Sequence, residues 1–147
     1  MKKLKFKLPI YDTEITVIQL ELGDTYKQVR NSLPKHLSEE CFEDIKDCVE
    51  HYEDNWDGGW TMNNKSLNSA IIMFTGFSSA AKRANVVAHE KRHLEDRILS
   101  RARIEDTEAA AYLAGYLEEK LMWIKNLSTN ILDSKIIRYG NTSKKNS

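Results

Sequence analysis

Charged and apolar residues alternate from the start of the chain: Lys3, Leu4, Lys5, Phe6, Lys7, Leu8. A period of two predicts a half-exposed strand over 3–8, with the lysines guarding its edge. Pro9 closes it and Tyr11-Asp12-Thr13 can turn. Glu14 to Leu22, carrying Ile15, Val17, Ile18, Leu20 and Leu22, then reads as the return strand of a hairpin. Gly23-Asp24 breaks the pattern, and a short helix from Thr25 to Ser32 ends before Pro34. A longer helix is predicted over 37–53, where Leu37, Cys41, Ile45, Cys48 and Tyr52 share one stripe and acids occupy the other faces.

Asp57-Gly58-Gly59 separates that helix from two more strands, Trp60 to Asn63 and Ser69 to Thr75. The second has a continuously apolar middle, Ala70 to Phe74, as a buried strand would. Gly76 and Ser78-Ser79 stop it and supply an N-cap for a helix over about 80–100. Asp106 is placed to cap a last helix, about 107–127, with Ala109, Tyr112, Leu113, Tyr116, Leu117, Leu121 and Ile124 at helical spacing. The alternation of short strands and helices predicts one α+β domain over 1–140, with a small, mainly antiparallel sheet packed on its helices. Residues 141–147 are expected to form a disordered polar tail.

Composition narrows the function classes. The 147 residues carry 22 Lys and Arg against 22 Asp and Glu, so the net charge is zero. That balance gives no global attraction to nucleic acid or to an anionic membrane, and no nucleic-acid partner is expected. The lysine-rich start is not followed by an apolar signal core, and no apolar run reaches the length of a membrane span. A cytoplasmic protein without a membrane partner is expected. Cys41 and Cys48 would lie about 10 Å apart along a helix, too far for a disulfide, and are expected to be small buried thiols.

The chemistry concentrates in His89-Glu90-Lys91-Arg92-His93. On a helix, His89 and His93 sit one turn apart, so both imidazoles can reach one cation at about 2.0–2.1 Å. Glu90, rotated by about 100°, can face a water beside that cation without ligating it. Two histidines and a glutamate general base at this spacing are the HExxH arrangement of zinc peptidases, which makes Zn2+ the expected cofactor and Glu90 the catalytic residue. Catalytic zinc takes a third protein ligand. Glu108 is preferred, because Ala109-Ala110-Ala111 would let its helix approach closely; Glu105 is the alternative.

Val86-Val87-Ala88-His89-Glu90-Lys91-Arg92-His93 followed by Glu108-Ala109-Ala110-Ala111-Tyr112 resembles the gluzincin arrangement of HExxH plus a later Glu. It is similar to small metallopeptidase-like proteins of phages and mobile elements, and more distantly to anti-repressor-type peptidases, over roughly residues 69–118. The resemblance implies a zincin-like fold, a peptide or protein substrate, and a strand before the motif helix that runs along the cleft, the place expected for Ile71 to Phe74. One departure stands out. The two central positions are ordinarily uncharged, whereas Lys91 and Arg92 would weaken metal binding unless they point away or are offset by Glu95 and Asp96.

Other features have plainer readings. Tyr112 could reach a reaction intermediate, but its helical spacing favours core packing with an edge hydroxyl. The Trp56 to Trp60 loop could wall a substrate site or cover a core edge. Lys82, Arg83, Lys91, Arg92, Arg97, Arg101 and Arg103 read as a solvated face balanced by acids. Two functions follow: metal-assisted peptide hydrolysis, or a non-catalytic binding or structural protein that keeps the zincin scaffold in a phage or mobile element.

Overall fold

The computed structural model describes residues 1–122 apart from 10, 55 and 65–67. Four strands form one mixed sheet: β1 (Lys2–Leu8), β2 (Thr13–Gln19), β3 (Gly59–Asn64) and β4 (Ser69–Phe74), in the order β1-β2-β4-β3. The predicted hairpin is present, with Lys2 opposite Gln19 and Leu8 opposite Thr13. β3 and β4 also pair antiparallel, while β2 and β4 run parallel in the centre. Helices α1 (Tyr26–Asn31), α2 (Glu39–Glu50) and α3 (Ala80–Ala102) complete the named elements, and a fourth, α4, is helical over 107–122. The remainder of the expected last helix and the 141–147 tail lie outside the described residues.

Alternation along the two central strands explains the layering. Ile15, Val17, Ala70, Ile72 and Phe74 face one core with Val87, Leu94 and Ile98 of α3 and Leu113, Leu117 and Leu121 of α4. Ile18, Leu20, Ile71 and Met73 face the other, against Val29 of α1 and Cys41, Ile45 and Cys48 of α2. Because helices cover both faces, β4 is apolar on both sides and runs apolar without a break from Ala70 to Phe74, while β2 buries Thr16 and Gln19 among its apolar residues. Each fully buried Leu or Ile there contributes about 1.5–3 kcal/mol relative to exposure.

The helix starts follow the predicted chemistry. Thr25 and Gln28 form a capping box, Ser38 accepts from the Cys41 N–H, and Ser79 accepts from the Lys82 N–H. Asp106 accepts from the N–H groups of Glu108 and Ala109. α2 is shorter than the stripe suggests because Ser38 caps it after Leu37. Leu37 and Tyr52 remain buried just outside its ends.

Two expectations are corrected. Ile71 to Phe74 cannot run along a cleft, because β4 lies between β2 and β3 and is buried along its length. β3 is the edge strand, and it is the strand that meets α3 beside the motif. Tyr112 is not a core residue: it is 59% exposed. Leu113, Leu117 and Leu121 form the inward stripe of α4, and of the tyrosines only Tyr116 turns far enough to pack on Phe6 of β1. Among the described residues no helix is long and apolar enough to cross a membrane.

Candidate metal centre

α3 carries Val87, Leu94 and Ile98 into the core. His89 and His93 therefore fall on its outer side, with Glu90 between that side and the sheet. The two histidine Nε2 atoms face each other at 3.0 Å, with the rings edge to face. Two lone pairs cannot share that space unaided: a proton on one nitrogen or a cation must lie between them. Two Zn–N bonds of about 2.0–2.1 Å span such a gap, so the donor pair fits zinc.

Glu90 is buried despite its charge, with only 7% of its surface exposed. Its Oε2 accepts a hydrogen bond from the Thr61 hydroxyl at 2.6 Å, and the same hydroxyl lies 3.1 Å from the Glu90 main-chain oxygen. Its other oxygen, Oε1, is 4.0 Å from His89 Nε2. One carboxylate oxygen is thus tethered to β3 and the other is presented toward the histidine pair without joining it.

β3 reaches this close because of Gly59. A Cβ built there would stand 2.8 Å from both Glu90 Cγ and Val86 Cγ1, closer than a side chain can come. The Gly58 carbonyl accepts from the Thr75 N–H on the β4 side. Strand alternation then turns the N–H and C=O of Gly59 and Thr61 to the free edge of the sheet. A cleft of about 390 Å³ opens along that edge, lined by Trp60, Met62, Glu90, His93 and Arg97, with Asp44 and Asp47 of α2 on the far wall.

Lys91 and Arg92 both point away from the histidines' shared gap. The Lys91 Nζ lies 3.1 Å from Glu95 Oε1 and 3.4 Å from Glu118 Oε2, joining α3 to α4. Arg92 pairs with Asp96 at 3.2 Å on the exposed surface. Their charges are offset by carboxylates, in the manner the neighbouring acids suggested.

Glu108 is not brought to the histidines. The Lys91 ammonium touches α4 at Ala114 and Glu118, six and ten residues beyond Glu108. Its side chain is exposed in the first turn of α4, and Glu105 is exposed in the preceding loop. Among the described residues no third His, Cys, Asp or Glu joins His89 and His93 in a metal-holding group.

Thr61, Gly59 and Arg97 escape a reading of the sequence. Gly59 was legible only as a turn residue, and Thr61 only as one polar position in a short strand. Nothing local says that β3 crosses beside residue 90. The tryptophans divide: Trp60 lines the cleft, whereas Trp56 stacks edge-on against Tyr52. Cys41 and Cys48 are free and buried as expected, and burial pushes the Cys48 thiol up to about 12. Comparison with protein-family models, curated proteins and solved structures finds no match for the chain.

Proposed function

We propose that this protein is a zinc-dependent peptidase whose metal is held by His89 and His93 and whose general base is Glu90. The observation that carries the reading is the 3.0 Å approach of the two Nε2 atoms beside a buried glutamate with one oxygen left facing them. Zinc bound there would supply Lewis acidity, polarising a carbonyl and acidifying water toward a pKa of about 7. Glu90 Oε1 takes a proton from the attacking water and passes it to the nitrogen of the departing amine. Thr61 keeps Oε2 occupied, so the proton moves at the oxygen nearest the histidines. An extended substrate lies along the free edge of β3, pairing with the outward main-chain groups of Gly59 and the N–H of Thr61, whose carbonyl is taken by Arg97.

Glu108 is left out of this assignment because of its exposed place on α4. The test is metal content together with hydrolysis. Wild-type protein should carry near-stoichiometric zinc and cleave members of a peptide library. His93→Ala should lose the zinc, Glu90→Gln should keep it and lose cleavage, and Glu108→Gln should keep it. Undiminished cleavage by Glu90→Gln would remove the mechanism.

One observation favours a second reading. Catalytic zinc ordinarily has three protein ligands, and the described residues supply two. A non-catalytic binding or structural protein on this scaffold would bind metal weakly and cleave nothing. Stoichiometric zinc with peptide cleavage excludes it.

A further inference from the structure

Arg97 lies four residues beyond His93, one turn further along the same helix, and lines the same cleft. Its Nη1 donates to the outward-facing Thr61 carbonyl at 2.6 Å. The guanidinium is thereby parked at the sheet edge where the proposed substrate would lie. That contact fixes the side chain but leaves its charge unmatched. Among the described residues Arg97 makes no ion pair, whereas Lys82 of the same helix has one and Lys91 and Arg92 have two each. A planar guanidinium with one N–H on a carbonyl still offers a fork of donors that matches the two oxygens of a carboxylate. Asp44 and Asp47 on the opposite wall would repel such a group and confine it to the Arg97 end.

We propose that Arg97 is the specificity-determining residue of this cleft and binds a carboxylate of the extended peptide. The carboxylate is either the free C-terminus or an acidic side chain. The inference rests on the peptide-binding part of the function proposed above, and its test separates the two.

The full-length protein is titrated with one extended peptide in four forms: C-terminus free or amidated, and an internal Glu or Gln. Binding is read by tryptophan fluorescence, since Trp60 lines the cleft. At least one carboxylate form should bind tenfold or more tighter than the doubly neutral form, and the two arms show which carboxylate is read. Arg97→Gln stays polar but carries no charge; it should bring the ratio close to one, with Arg97→Lys between. Circular dichroism checks that each variant folds. Should Arg97→Gln misfold, the wild-type ratio must still fall with added salt. An unchanged ratio in folded Arg97→Gln, a salt-independent wild-type ratio, or no binding of any form overturns the assignment. Cleavage of the same peptides is followed by mass spectrometry. Carboxylate preference without cleavage leaves Arg97 its role and removes hydrolysis; cleavage without preference does the reverse.

Discussion

The Thr61 hydroxyl donates to Glu90 Oε2 at 2.6 Å, so a residue of the edge strand holds the acid of the motif helix. This contact leaves Oε1 as the carboxylate oxygen that faces the histidines. Thr61→Val keeps the shape and removes the donor. Leaving a buried charged acceptor short of a partner costs about 1–3 kcal/mol. Urea unfolding should register that loss, and kcat should fall with KM little changed. Thr61→Ser should recover both. Wild-type stability and kcat in Thr61→Val would remove the positioning role.

Gly59→Ala tests how closely β3 and α3 approach. The added methyl meets Glu90 Cγ and Val86 Cγ1 at 2.8 Å and Phe74 Cδ1 at 3.1 Å. Overpacking of this kind typically costs about 1–3 kcal/mol. Thermal unfolding should move down accordingly, and the displaced Glu90 should lower hydrolysis more than zinc content. No change in melting temperature would mean that the strand and helix separate freely.

Lys91 is expected to matter for stability and not for the metal. Glu95 is only 5% exposed, and Lys91 is its nearest cation. Removing one partner of a buried pair costs about 3–5 kcal/mol. Lys91→Met should approach the lower end, because Arg92 remains 3.8 Å from the other Glu95 oxygen. Adding Glu95→Gln should recover part of the loss. Zinc content should stay at the wild-type level; a marked gain would show that the lysine charge reaches the site.

Asp57 should give a pH-dependent increment of stability. Burial raises its carboxyl, but the Ser78 hydroxyl and N–H and the Lys82 ammonium outweigh that and hold it below the usual carboxylate range. A carboxyl with a lowered folded pKa stabilises above its unfolded value, about 3.9, and loses that contribution as pH falls through the folded value. Asp57→Asn tolerates the left-handed backbone, φ 63°, and removes the charge. The stability difference between wild type and Asp57→Asn should be constant near neutrality and shrink as pH drops below about 4. A difference independent of pH would assign the contact no electrostatic share.

The fold was largely legible because its signals are local. Alternating lysines marked β1, the apolar run Ala70 to Phe74 marked a buried strand, and Ser79 and Asp106 marked helix starts. What failed depends on neighbours distant in sequence. Which strand forms the sheet edge follows from β2 and β4 pairing in parallel across more than fifty residues, so β3 and not β4 borders the cleft. Tyr112 obeys the helical period, yet it falls just outside the stripe that α4 presents to the sheet.

The sequence by itself determined that two imidazoles and a carboxylate share one turn of α3, because helix geometry brings i and i+4 together whatever surrounds them. Only the tertiary structure decided that Glu90 is buried with one oxygen tethered, that Lys91 reaches Glu118 of α4 as well as its helix neighbour Glu95, and that Glu108 is exposed at the start of α4. Those outcomes depend on how β3 and α4 pack against α3. Such packing is set by side chains tens of residues apart, which no local period records.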